Sequence, residues 1–434
     1  MKRFAHARVP ASLLPAGFPD TASPDPDQPL VACDIDVDGA RIVAVSAASA
    51  TLPPDAAPVE DLHGAVVLPG WADAHIHLDK THTWDRSPNR DRTFPGAIAT
   101  LFADERHWTE ADVVRRANYA IACAHAHGSV ALRTHFNCPA GVLRDHHDLF
   151  RSLAAEWRGR VELQYVPLCT EAGYATPVNA PYFDRALESG CAAIGGMPLM
   201  NPDLRAQIDR MMALAAERGM GLDLHIDENP DPASETLREI ALGVLRNEFP
   251  HPVTCGHCCS LSRQEPARQA ETIALVAEAG LHVIPLPMCN LFLMDRSVDP
   301  AGRPLTPQWR GVTLLHEFLN AGVNVAIASD NVRDAFYAYG DYDMLEVYSQ
   351  AVRIGHLDGR LPESPRVVTA NPATLMGLAD RFGSVTPGRD ARLVVFDAPS
   401  LNHLLARPSA PRRHIVGETL QRPDLPAWED LAKR

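Results

Sequence analysis

The sequence predicts an α/β chain: a (β/α)8, TIM-type barrel, with a small β-sandwich-like domain built from the two chain ends. Three observations predict it. Eight apolar runs of strand length alternate with segments of helical periodicity. Residues that bind metals or move protons fall at the ends of several of those runs. The two ends of the chain differ in composition from the middle and carry only short strand-like pieces. With 434 residues, 46% of them hydrophobic, the chain can bury the core of one large domain and a smaller companion.

The first barrel strand is the run 65–74, which closes in His75-Ile76-His77. Side chains alternate faces along a strand, so residues i and i+2 point the same way. Both imidazoles can then meet one metal ion at the strand's end. Two core or solvated histidines are the plain alternative, and the pair alone leaves both open.

The later runs are 129–135, 161–169, 191–197, 221–227, 253–258, 281–286 and 323–329. Between them, 112–127, 204–218, 235–246 and 267–279 carry helix-period apolar residues and strong helix formers. Alternation of strand and helix implies parallel strands with right-handed crossovers. Eight such units close a barrel whose reactive groups sit at the C-terminal strand ends.

The first 60 residues are rich in Pro, Asp and Ala, with strand-like pieces at 30–37 and 40–46. Near the other end, the turn residues of 383–388 precede the apolar run 391–396. The boundaries expected are 1–64 and 380–434 for the two parts of the small domain, and 65–379 for the barrel.

Charge and composition exclude several classes. A net charge of −14 with no basic run argues against nucleic-acid binding. No apolar stretch reaches the roughly 18 residues of a membrane span. Nine scattered cysteines, an odd number, predict reduced thiols and a cytoplasmic protein rather than a disulfide framework. The basic start Met1-Lys2-Arg3 is followed by a short run broken by Pro10 and Pro15, which does not make a signal peptide. A homo-oligomer is expected, since closed homo-oligomers are common.

Polar residues end several strands: His75 and His77 the first, His225 the fifth, His257 the sixth and Asp330 the eighth. In a barrel these ends converge on one mouth. Imidazoles and a carboxylate suit a divalent transition metal that keeps a position open for water. Such an ion lowers the pKa of that water toward neutrality.

The segments Leu68-Pro69-Gly70-Trp71-Ala72-Asp73-Ala74-His75-Ile76-His77-Leu78-Asp79, Leu132-Arg133-Thr134-His135, His225-Ile226-Asp227-Glu228, Val253-Thr254-Cys255-Gly256-His257 and Ser329-Asp330-Asn331-Val332-Arg333-Asp334 together resemble the amidohydrolase superfamily, and within it the cytosine deaminase branch. Val385-Thr386-Pro387-Gly388-Arg389-Asp390-Ala391 is similar to the superfamily's closing β segment, so the resemblance spans about residues 30 to 420. It implies one divalent ion, zinc or iron, on His75, His77, His225 and Asp330. It implies that Asp330 also takes a proton from the bound water, that Glu228 carries protons to a ring nitrogen and the leaving amine, and that His257 stabilises the tetrahedral intermediate. An amidine carbon is a poor electrophile until its ring nitrogen is protonated, so this division suits the chemistry.

Three positions depart from the branch's pattern. An acidic residue usually follows the metal aspartate; here it is Asn331, nearly isosteric and able to donate as well as accept. The glutamine that reads the base after the third strand is replaced by Thr170 or Glu171. The aromatic residue after the eighth strand is Phe336 rather than tryptophan, free to stack on a flat ring or simply to pack in the core. Asn290 reads as a turn residue or a ligand contact, turn being the safer reading. Asp79 and Lys80 read as partners orienting the histidines or as a surface ion pair, and His135 as a supporting residue near the pocket. The Cys255-Gly256-His257-Cys258-Cys259 stretch lacks a second cysteine pair and reads as buried strand.

The expected activity is deamination of a nitrogen heterocycle, with cytosine or 5-methylcytosine the leading substrate. The alternatives are other cyclic amidines and aminotriazines, such as isocytosine, creatinine or an alkylaminotriazine, or the opening of a ring amide. The triazine branch shares Ser329-Asp330-Asn331 and Asp79-Lys80.

Overall fold

The computed structural model of the chain describes residues 1–19, 29–49, 58–137, 147–170 and 180–432. They form two compact units. One comprises Met1–Ala74, Ala122–Ala131 and Asp343–Ala427; the other His75–Ile121, Leu132–Tyr342 and Trp428–Arg434.

Eight strands lie side by side in chain order: β1 (Trp71–Ile76), β2 (Ser129–Asn137), β3 (Glu162–Thr170), β4 (Ile194–Met197), β5 (Leu222–Ile226), β6 (Val253–His257), β7 (His282–Ile284) and β8 (Asn324–Val325). Every ladder from β3 to β8 is parallel. A parallel bridge pairs Ile76 with Asp330, and Asp330 N donates to His75 O over 2.9 Å, so the chain after β8 returns to the end of β1. This is the sheet of a TIM-type barrel.

All five residues of β5 and of β6 are buried, as expected for parallel strands covered on both faces. Gly195 is required where β4 passes β3: a Cβ there would stand 2.6 Å from Pro167 O. The eighth strand is shorter than its apolar run. Ala326 N still reaches Val283 O, but 326–330 then leave the ladder with β7, itself three residues long, and cross to β1.

The helix Thr236–Arg246 shows how the surrounding helices arise. Leu237, Ile240, Ala241 and Val244 recur at helical spacing and are its buried face. Asp227, just past β5, caps it: its carboxylate accepts from Thr236 N (3.1 Å), Leu237 N (3.0 Å) and Ser234 Oγ (2.7 Å). A cap of this kind contributes about 1 kcal/mol. The helix Phe94–Asp104 had no counterpart among the predicted segments. Thr93 caps it by accepting from Gly96 N, and Pro95 sits in its first turn.

The other unit carries a second sheet, in the order Thr419–Gln421, Arg412–Val416, Arg392–Phe396, Val66–Pro69, Lys2–Pro10, Leu30–Asp38, Arg41–Ala47, with Val59–Asp61 beside Lys2–Pro10. Strands from both parts of the chain thus share one sheet, joined where Val66–Pro69 runs antiparallel to Leu393–Phe396. The eight cysteines among the described residues are free and buried. No helix there is long and apolar enough to cross a membrane.

Candidate metal centre

His75 and His77 leave β1 on one face, His225 is the fourth residue of β5, His257 ends β6, and Asp330 lies five residues past β8. All five are buried. His257 and Asp330 turn at left-handed φ angles of 68° and 63°, and Asp227 beside them at 50°. Outside glycine such angles cost about 1–3 kcal/mol each and concentrate at functional sites.

The Nε2 atoms of His75 and His225 are 3.1 Å apart, and those of His225 and His77 3.2 Å. Asp330 Oδ1 is 3.4 Å from His77 Nε2 and 3.8 Å from His75 Nε2. Ligands about 2.0–2.1 Å from one ion in a tetrahedron stand roughly 3.3–3.4 Å apart, and the four atoms bracket that spacing. Burial first, and then neighbouring positive charge, hold all three histidines well below the usual imidazole pKa. The rings are therefore neutral, the form that ligates. Their Nδ1 atoms have no hydrogen-bond partner among the described residues. This donor set fits a divalent cation.

His135, on β2, is drawn closer than its supporting role suggested. Its ring centroid is 4.2 Å from that of His75, and it offers a fourth imidazole to the group His75, His77, His225. Its Nε2 lies 3.2 Å from Asp223 Oδ1, and Arg133 donates to the other oxygen of Asp223 over 3.0 Å. His75 also needs the glycine at 256: a Cβ there would stand 2.9 Å from His75 Cε1.

Glu228 and His257 meet through Asn290, on the short helix Pro287–Leu293. Asn290 Nδ2 is 3.0 Å from Glu228 Oε1 and 3.1 Å from His257 Nδ1. Burial, and then the charge of Asp330, push the Glu228 carboxyl well above its usual range. Burial pushes Asp330 up to about 6 and His257 down to about 3. Asn290 is thus a buried bridge in a helix, which corrects its reading as a turn residue.

These groups open into a pocket of about 410 Å3. His77, Lys80, His225, Glu228, His257, Asp330, Asn331 and Phe336 line it, and Phe94, Ile98, Leu101, Leu168 and Met197 supply an apolar wall. Asn331 and Phe336 are thus among the lining residues. Thr170 ends β3, and Glu171 lies outside the described residues.

Lys80 is not a surface residue. It is 5% exposed, and its ammonium sits 4.0 Å from the centre of the Phe336 ring. No carboxylate among the described residues pairs with it. The Asp79 carboxylate turns instead to the Lys80 backbone N–H, at 2.9 Å. Sequence reasoning missed the placement of Lys80 and the wall helix Phe94–Asp104; the signal available was a lysine three residues after the second histidine of a metal pair.

Asp334 folds the loop after β8 by accepting from Phe336 N (2.8 Å) and Tyr337 N (3.2 Å), and Arg333 pairs with Asp85 at 2.8 Å.

The amidohydrolase family model matches residues 167–420. A pterin deaminase of Rhizobium rhizogenes is 42% identical over 386 residues, covering 88% of this chain and 87% of its own. The crystal structure of 5-methylcytosine deaminase from Klebsiella pneumoniae with 5-fluorocytosine superposes with a TM-score of 0.81 at 24% identity, covering 96% of each chain. That of N-isopropylammelide isopropylaminohydrolase from Burkholderia multivorans gives 0.74 at 25% identity, covering 98% of this chain and 99% of its own. The family match over more than half the chain, and the long alignment with a relative above 40% identity, agree with the buried histidine and aspartate cluster: the chain belongs to the amidohydrolase family and is a metal-dependent hydrolase of carbon–nitrogen bonds.

Proposed function

We propose that the protein hydrolyses the exocyclic amine of a nitrogen heterocycle, releasing ammonia and leaving a ring carbonyl. The favoured ring is a 2-amino-4-oxopyrimidine, as in pterin. The observation that carries the reading is the Glu228–Asn290–His257 bridge, which sets a raised-pKa carboxyl and a neutral imidazole beside the histidine and aspartate cluster. The pterin deaminase relative supports the ring class.

One divalent ion, zinc or iron, would be held by His75, His77, His225 and Asp330, and when bound would lower the pKa of the attacking water. Asp330 accepts a proton from that water. Glu228 delivers a proton to the ring nitrogen next to the amidine carbon, raising that carbon's electrophilicity; it then takes the proton of the added hydroxyl as the ring carbonyl forms, passes it to the departing amine, and regains its own proton from Asp330. With Asn290 donating to His257 Nδ1, His257 Nε2 carries the hydrogen and donates it to the oxygen adding to the ring. Lys80, whose ammonium has no hydrogen-bond acceptor among the described residues, suits a ring carbonyl. The apolar wall gives a second fused ring a surface to lie against.

Cytosine and 5-methylcytosine are the second reading, favoured by the shared fold and by Asn331 and Phe336 at the pocket. Ammonia release by metal-loaded protein from pterin, cytosine, 5-methylcytosine, isocytosine and an aminotriazine tests both. Release from pterin above all others supports the first reading; release from the two cytosines alone selects the second. Consumption of substrate without ammonia would overturn deamination in favour of ring opening.

A further inference from the structure

We propose that Glu228, Cys289 and Asp330 form a second cation site beside the histidine cluster, one that takes a thiophilic divalent ion such as zinc or cadmium and blocks turnover when filled. Each of the three offers a ligand atom, and those atoms lie within 4.8 Å of one another. Only Asp330 is shared with the histidine set.

Asp330 is suited to bridging. Its Oδ1 faces His77 and His75, while its Oδ2 is buried with no hydrogen-bond partner. Glu228 engages Asn290 through Oε1, and its other oxygen accepts no hydrogen bond among the described residues. Cys289 sits one residue before Asn290, 1% exposed, and its thiol makes a long 3.8 Å contact with Phe336 O. It also faces the Asp330 carboxyl, so thiol and carboxyl already meet where the ion would sit.

One sulfur and two carboxylate oxygens select the ion. Thiolate favours zinc and cadmium, whereas magnesium prefers an all-oxygen shell and keeps its waters. Binding expels the thiol proton and the proton on Glu228, so two protons leave for each ion bound at a pH where both groups are protonated. The ion enters through the pocket, since Glu228 and Asp330 both line it. Binding stands on the donor set alone; the loss of turnover rests on the deaminase reading, in which Glu228 must be free to carry a proton.

The test uses protein already holding one ion per chain, titrated with cadmium while elemental analysis confirms that the first ion stays. The expected result is a second equivalent with an ultraviolet thiolate–cadmium band, and turnover falling at least about tenfold at saturation, whereas magnesium does neither. Cys289→Ser should lose the band, weaken inhibition by about tenfold or more, and keep its basal turnover. A band and inhibition unchanged in Cys289→Ser, or no second equivalent in the parent protein, would overturn the site. Glu228→Gln gives a check independent of activity: it keeps the thiol, loses a ligand, and should bind the second cadmium about tenfold more weakly; unchanged affinity would also overturn the site. A band without loss of turnover would keep the site and overturn Glu228 as proton carrier.

Discussion

Asn290 donates to Glu228 Oε1 over 3.0 Å and, with the same nitrogen, lies 3.1 Å from His257 Nδ1. One amide thus sets two things at once: the direction of the carboxyl and the tautomer of the imidazole. Because Nδ1 accepts, the hydrogen of His257 is on Nε2, the atom that has no partner among the described residues.

Glu228→Gln should retain metal and lose turnover by about 10²–10⁴-fold, the range expected for removing a proton carrier. Metal analysis beside steady-state kinetics checks it. Turnover within a few-fold of the parent would take Glu228 out of the mechanism.

Asp330→Ala should lose both metal affinity and turnover, since the carboxylate faces two histidines and the pocket. A metal-replete variant with no turnover would separate its two roles. A metal-replete, active variant would remove it from the site.

Gly256→Ala places a methyl where His75 Cε1 would be 2.9 Å away. The ring must tilt, so metal affinity should weaken by about tenfold or more. Overpacking should cost a further ~1–3 kcal/mol of stability. Equilibrium dialysis against a chelator reads the first and denaturant unfolding the second.

His82 is buried among the rings of Tyr119, Tyr342 and Trp428, and neither ring nitrogen has a hydrogen-bond partner among the described residues. Burial lowers its pKa from 6.5 to about 4. The native state therefore holds the ring neutral while the unfolded chain takes up a proton. Its contribution is present above pH 6.5 and is lost as pH falls toward 4, by about 3 kcal/mol. His82→Phe should flatten the stability–pH curve in that window. An unchanged slope between pH 4 and 6.5 would show that the ring is not buried neutral.

Lys80→Met should raise KM by about 10–100-fold for a ring bearing the carbonyl that Lys80 would meet, the worth of a charge-assisted hydrogen bond. The stability of the empty protein is read beside this, since Lys80 lies over the Phe336 ring and its charge offsets the Glu228, Asp330 and Asp334 carboxyls. A variant less stable than the parent, with KM unchanged, would return Lys80 to a structural role.

Much of the fold was legible. Hydrophobic runs place the second to seventh barrel strands within a few residues, because a parallel strand covered on both faces has little that is polar to blur its limits. The first and eighth are exceptions: the run 65–74 is split, with Val66–Pro69 in the other sheet and Trp71–Ile76 in the barrel, and residues 326–330 cross to β1 rather than run along β7. His75, His77 and His225 were legible for the same reason, since they lie at or near strand ends, whereas His135 sits within β2. What escaped depends on side-chain direction. Asn290 and Lys80 carry no periodicity, and nothing local says that a lysine beside Asp79 turns inward. The helix Phe94–Asp104 escaped because its capping Thr93 and Pro95 were not weighed against the loop-like sequence before it.

The joining of Val66–Pro69 to Leu393–Phe396 bears on how the protein is made. Residues 66–69 leave the ribosome early, and their partner emerges only after more than 300 further residues have been synthesised. At about 5–20 residues per second the gap lasts tens of seconds. During it, an apolar strand that leads directly into Trp71–Ile76 has one edge unpaired. Nascent chains should therefore depend on chaperones until residue 396 is out, and a fragment ending before Arg392, though it keeps every residue of the metal centre, should aggregate rather than fold.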